Sequence, residues 1–149
     1  MDIRVTHRAE GEPTDGRLIA QDAVMVFPEM RWQSSTEDAI ERIVRSIEEN
    51  DRIEITATSQ EGQVIGFACV VHDEDDHVGP CLGVQWNFVL PESRGSVGIR
   101  MWREIRKLAA GLPYEVLAYT HRVGPAAYLI RYMRLRPRRG HGKEGQEGI

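Results

Sequence analysis

With only two cysteines, Cys69 and Cys81, the chain cannot build a disulfide framework, and their spacing fits neither a zinc site nor a redox C-x-x-C pair. They read as two reduced, buried thiols. No apolar run approaches the ~20 residues that a membrane-spanning helix needs, and the N-terminal MDIRVTHRAE has no apolar core of a secretion signal. Cytoplasmic residence without a membrane partner is the expectation. Aromatic residues make up only 7% of the chain, and its arginines lack the Gly/aromatic interleaving of single-strand binders, which argues against nucleic acid as a partner. The string His72-Asp73-Glu74-Asp75-Asp76-His77 is rich in metal-ligating types. Consecutive turn residues do not converge on one centre, so it reads as a solvated hairpin tip and no metal is expected.

What is present is an ordinary globular composition, 41% apolar and 28% charged over 149 residues, enough for one core without staples. One domain is expected over 1–137, with a flexible basic, Gly-rich tail over 138–149. The net charge of −4 is unevenly spread. Twelve Lys/Arg against four Glu from Arg94 onward give +8, which leaves −12 for residues 1–93. A basic C-terminal third suits a polyanionic ligand.

Patterning sets out the elements. Ile3–Val5 reads as a short strand, and Gly16–Phe27 as a helix with Leu18, Ile19, Ala23 and Val26 on one face. Met30–Gln33, with Trp32, reads as a loop that fills core, with the lining of a groove as the alternative. Ser34 and Glu37 have capping-box spacing ahead of an apolar stripe, Ile40, Ile43, Val44 and Ile47. Arg52–Ser59 and Val64–His72 read as strands, and Val78–Leu90 returns as a third. A hairpin centred on Asp75 would set Cys69 opposite Cys81. Met101, Trp102, Ile105, Leu108 and Ala109 recur at helical spacing before Gly111-Leu112-Pro113. Tyr114–Thr120 is a further strand, and Pro125 opens a last helix running to about Leu135.

Between the third strand and the amphipathic helix lies Val89-Leu90-Pro91-Glu92-Ser93-Arg94-Gly95-Ser96-Val97-Gly98. A strand, a small-residue turn and a helix N-terminus offer unpartnered N–H groups and roughly half a positive charge to a phosphate. This stretch resembles the acyl-CoA binding motif of the GCN5-related N-acetyltransferases (the GNAT superfamily), V-x-P-x-x-R-G-x-G-x-G/A. Val89, Pro91, Arg94 and Gly95 match, and Gly98 matches after a one-residue shift. Val97 stands where the family has its first helix-entry glycine, and Ile99 where it has Gly or Ala.

The resemblance implies an α+β fold of layered α/β type: a central mixed, mostly antiparallel sheet with flanking helices and two splayed parallel strands. It implies acetyl-CoA as acyl donor, with Phe88, Val89 and Leu90 along the pantetheine arm and Arg94, Gly95, Ser96, Val97, Gly98, Ile99 and Arg100 around the pyrophosphate. In AAYLIRYMRLRP, Tyr132 stands where the family has its general-acid tyrosine, and Tyr128 lies four residues earlier. The strand before the turn offers Gln85 and Asn87 in place of the family's glutamate base, which leaves Glu92 or His121, the latter with the more suitable intrinsic pKa. The C-terminus is short of the family's closing strands, so the acceptor side is expected to be open or completed by a second copy or another protein. The function implied is acyl transfer to an amine. The alternative is a GNAT-like protein without catalysis, serving binding or assembly. PESRGSVG and THRVG also resemble short acetyltransferase-like proteins of short-tailed bacteriophages, which would place such a protein in an infected host cytoplasm or a virion, with a phage or host protein as partner.

Overall fold

The central strands are buried on both sides because helices cover both faces of the sheet. In the computed structural model, which describes residues 1–135, six strands pair in chain order: β1 (Asp2–Arg8), β2 (Arg52–Thr58), β3 (Val64–Asp75), β4 (Gly79–Val89), β5 (Val116–Gly124) and β6 (Ala127–Arg134). All neighbours are antiparallel except β4 and β5. A parallel pair needs a crossover, and helix α3 (Ser96–Ala110) supplies it. The expected mixed sheet with one parallel pair is the one observed. The proposed tail 138–149, and the domain boundary before it, lie outside the described residues.

Helices α1 (Arg17–Val26) and α2 (Thr36–Glu48) cover one face, α1 through Ile19, Ala20, Ala23 and Val24 and α2 through Ala39, Ile43, Val44 and Ile47. The α1 stripe differs from the expected one. Leu18 is 67% exposed, because the helix turns its Ala-rich side to the sheet. The cap of α2 also moves by one residue. Ser35, not Ser34, accepts the N–H of Asp38, while the Ser34 hydroxyl accepts from Arg42. Met30 falls in a 3₁₀ turn, Pro28–Arg31, and Trp32 beyond it is 68% exposed rather than core.

On the other face α3 buries Val97, Met101, Ile105 and Ala109 at spacings of four. Its close approach to β3 depends on Gly66, where a Cβ would lie 2.5 Å from the Met101 sulfur. The connection from β1 to α1 is pinned from below by a buried ion pair. Arg52 Nε donates to Glu54 at 2.6 Å, the Arg52 guanidinium also donates to the carbonyls of Ala9 and Glu12, and Glu54 accepts the N–H of Asp15. Both side chains are fully buried, so their mutual pairing offsets a large desolvation cost.

Three sequence expectations are corrected here. The last helix is a strand: β5 runs on through His121 to Gly124, turns at Pro125 and Ala126 (φ 55°), and returns as β6. Tyr, Leu, Ile and Met in this segment are good strand formers, and an apolar pair four apart shares a face in a strand as well as in a helix. The β3–β4 hairpin turns beyond Asp75, which pairs with Gly79, and not at Asp75 itself. Cys69 therefore sits opposite Trp86 and Cys81 opposite Asp73, so the two thiols do not face each other. Both are buried and free, and burial pushes the Cys69 thiol up to about 12.

Candidate functional site

Parallel pairing between β4 and β5 lasts for three residues: Leu82 with Leu117, Gly83 with Ala118 and Val84 with Tyr119. At the next residue β4 carries a bulge. Cys69 pairs with Trp86 and Val70 with Val84, which leaves Gln85 as the extra residue. A bulge bends its strand and increases its twist, and here it turns β4 away from β5. Gln85 and Trp86 both reach back to α2, donating to the Ser46 carbonyl and hydroxyl oxygens at 2.9 and 3.3 Å. Beyond Val84 and Tyr119 the facing edges of the two strands are unpaired among the described residues, so a slit opens with main-chain N–H and C=O groups along both lips.

The slit widens on the α1 side into a mostly apolar cavity of about 280 Å³, walled by Ala23, Phe27, Met30, Trp86, Phe88 and Tyr128. Phe88 meets Phe27 edge-on, with ring centroids 5.5 Å apart. A polar clasp spans the mouth. Arg122 on β5 donates to Glu29 in the 3₁₀ turn at 2.7 and 3.3 Å, Tyr128 on β6 donates its hydroxyl to the same carboxylate at 2.8 Å, and the guanidinium lies 4.5 Å over the Phe27 ring. Hydrogen bonding to Arg122 holds the Glu29 carboxyl down at about 2. Burial, then Glu29, pushes the Tyr128 hydroxyl up, so it stays protonated at neutral pH. A second cavity of about 290 Å³ adjoins on the same side of the sheet, sharing Val84, Gln85 and Thr120 and walled by Asn50, Asp73 and Asp75.

At the far end of β4 the chain passes through Leu90 and Pro91 into the turn. Gly95 has φ 97°, which only glycine adopts without strain, and caps α3. The N–H of Ile99 closes the first helical bond to the Gly95 carbonyl at 2.9 Å, so the N–H groups of Ser96, Val97 and Gly98 precede the helical ladder. Val97 is 5% exposed, its side chain packed beneath the turn beside Gly66. A valine here therefore leaves the outer surface of the turn clear. The Cβ position of Gly98 meets nothing within 4 Å, so a ligand can approach its backbone closely. Arg94 is exposed and its Nε reaches the Val89 carbonyl at 3.4 Å. Ile99 is 55% exposed, and Arg100 is exposed beside it. Phe88, Val89 and Leu90 are buried at the lip of the slit. The ten residues expected along an acyl-CoA thus run from the end of β4 to the first turn of α3, with Phe88, Val89, Leu90 and Val97 buried and Arg94, Gly95, Ser96, Ile99 and Arg100 exposed.

Tyr132 and His121 are not brought together. Tyr132 pairs with Ala118 and His121 with Leu129, so their side chains leave opposite faces of the sheet. The Tyr132 hydroxyl donates to Asp75 at 2.9 Å, at the hairpin end of β3, and His121 is exposed on the face that carries α3. The residues that sequence reasoning missed are Glu29 and Arg122. They lie 93 positions apart, and no local signal links them.

No protein-family model and no curated protein matches the sequence. Solved structures do match. An aminoglycoside 6'-acetyltransferase type Ii aligns with a TM-score of 0.56 at 15% identity, over 91% of this chain and 99% of that one. The GCN5 protein of Tetrahymena aligns with a TM-score of 0.53 at 14% identity, over 81% and 71%. The chain has the GNAT fold. A third structure with this fold, an aminoglycoside 6'-N-acetyltransferase, is complexed with coenzyme A. It aligns with a TM-score of 0.51 at 16% identity, over 78% of this chain and 61% of that one.

Proposed function

We propose that the protein binds acetyl-CoA along the track from Phe88 to Arg100 and transfers the acyl group to an amine presented from the α1 side. The observation that carries this reading is the slit between β4 and β5, opened by the bulge at Gln85 directly upstream of a clear helix N-terminus. The turn fits a pyrophosphate: three leading N–H groups, the helix dipole and an open face at Gly98 act together. The slit fits a pantetheine arm, whose amides can pair with the unpaired strand edges.

Acetyl-CoA supplies the activated thioester. The chain's residues hold it, exclude water from one side and manage protons. The amine nitrogen attacks the carbonyl carbon and the carbon–sulfur bond breaks. The leaving sulfur takes a proton from a tyrosine, and the amine loses its own to water. Main-chain N–H groups freed along β4 suit the carbonyl oxygen as it gains charge. The sequence reading gives the acid role to Tyr132. Both hydroxyls are held by carboxylates, Tyr128 by Glu29 and Tyr132 by Asp75, and Tyr128 is the better placed of the two because it lines the cavity in the slit. Glu29, held at about 2, is too acidic to serve as base. Asp73 and Asp75, with Asn50, make the adjoining cavity suited to a cationic amine.

A second reading, a binding protein without catalysis, is favoured by the strand that replaces the expected helix. Calorimetry with acetyl-CoA, followed by an acyl-transfer assay over a panel of amines and polyamines, separates the two. Micromolar binding with transfer supports the enzyme. Binding without transfer supports the second reading, and no binding at millimolar acetyl-CoA overturns the enzyme and leaves the non-catalytic assembly role.

A further inference from the structure

The basic surface of α3 does not belong to the acyl-CoA track. Arg103, Arg106, Lys107 and Ala110 follow one another at the i, i+3, i+4, i+7 spacing, so they share a stripe distinct from the buried one. That stripe faces Met133, Arg134 and Leu135 at the end of β6 across a groove of about 330 Å³. Arg103 is seven residues and Lys107 eleven residues beyond Ser96, which places them roughly 10 and 16 Å down the helix from the phosphate turn. The groove therefore sits at the other end of the helix.

None of the four cations takes part in an ion pair among the described residues, although carboxylates hold Arg4, Arg8, Arg17, Arg52 and Arg122 elsewhere. Like charges crowded on one stripe destabilise a helix, and an anion lying in the groove relieves that repulsion. The lining is aliphatic and cationic without an aromatic ring, so it offers nothing for bases to stack on. Beyond Leu135 the sequence adds Arg136, Arg138, Arg139 and Lys143, which lie outside the described residues.

We propose that this groove binds the phosphodiester backbone of double-stranded nucleic acid, independently of base sequence and of the acyl-CoA track. Backbone binding through about four phosphate contacts makes affinity fall roughly 100-fold between 50 and 200 mM salt.

The test is fluorescence anisotropy of the full chain with a labelled 20-base-pair DNA duplex at both salt concentrations, repeated with a R103E/K107E double variant. Binding at 50 mM that weakens on this scale with salt, and at least tenfold in the variant, supports the proposal. All four cationic side chains of the groove except Arg134 lie on α3, so circular dichroism and the melting temperature of the variant check that the helix is retained. The variant is compared with the wild type only where it keeps the helical signal and a cooperative melt. Absence of binding at 50 mM, or equal binding by a folded variant, overturns it. A single strand of the same length that binds more tightly than the duplex overturns the assignment to duplex. Displacement of the duplex by acetyl-CoA would move the anion to the phosphate turn and overturn it too.

Discussion

Replacing Gly98 with glutamate should separate the stability of the fold from its capacity to hold a pyrophosphate. Gly98 has ordinary helical backbone, lies in the first turn of α3, and has nothing within 4 Å of its Cβ position, so a side chain enters without a clash. Exchanging glycine for a good helix former is worth about 0.5–1 kcal/mol in an exposed helix. A carboxylate near the positive end of the helix dipole adds about 0.3–1 kcal/mol. Helix-N-terminal positions gain less than interior ones, so a net stabilisation of about 1 kcal/mol is expected, or about 2–4 °C in melting temperature for a chain of this size. The same carboxylate would stand in the path of the pyrophosphate. Two like charges about 5 Å apart repel by about 1–3 kcal/mol at effective dielectric constants between those of water and a protein surface. Each 1.4 kcal/mol is tenfold in affinity, so the dissociation constant for acetyl-CoA should rise about 5- to 150-fold. Gly95 is a poorer site for this test, because any side chain there is strained at φ 97°. Calorimetry and a melting curve on the same preparation read both quantities. A Gly98→Glu protein that melts higher and binds acetyl-CoA as tightly as the wild type would refute the placement of the pyrophosphate.

Gly66→Ala should cost about 1–3 kcal/mol in chemical denaturation, because the new methyl meets the fully buried Met101 and must lift α3; a loss below about 0.5 kcal/mol would show that α3 has room to move. Arg52→Met removes the partner of the fully buried Glu54 and should destabilise by about 3–5 kcal/mol, whereas Arg17→Met, which breaks the exposed pair with Glu41, should leave the denaturation midpoint almost unchanged. The Glu29 carboxyl is depressed in the folded chain, so the stability it contributes is complete above about pH 4.5 and is lost as pH falls toward 2. Urea titrations at pH 5 and pH 3 should therefore differ less for Glu29→Gln than for the wild type, and an equal difference would sink the assignment. If Tyr128 is the acid, Tyr128→Phe lowers acyl-transfer turnover at least tenfold with acetyl-CoA affinity nearly unchanged, and Tyr132→Phe does not; the reverse order would restore the role to Tyr132.

Much of this arrangement is legible in the residues, and the failures have physical causes. Helix α2 and helix α3 stand out because their apolar residues recur at helical spacing over more than two turns. The turn before α3 stands out because Gly95 separates a strand from one of these helices. The last element reads as a helix but folds as a strand because Tyr128 and Tyr132 are four apart, a spacing shared by one helical turn and by two pleats of a strand. The hairpin register could not be read because a bulge changes the count without changing the composition, and Gln85 carries no mark of being the extra residue. The Glu29–Arg122 clasp depends on two segments meeting across 93 residues of chain, and only the folded sheet brings them together.

The bulge at Gln85 also means that the width of the slit is written in the number of residues rather than in their identity. Between the partners of Val70 and Cys69, β4 spends one residue more than β3 does. Substitution at position 85 trims a contact with α2 but leaves the count intact, so many residue types there keep the slit open. Deletion of that one position would bring β4 back into step with β3, straighten it, and let it continue pairing with β5 beyond Tyr119. The site is thus tolerant of point changes at its hinge and intolerant of a single lost codon, a form of constraint that a substitution scan alone would pass over.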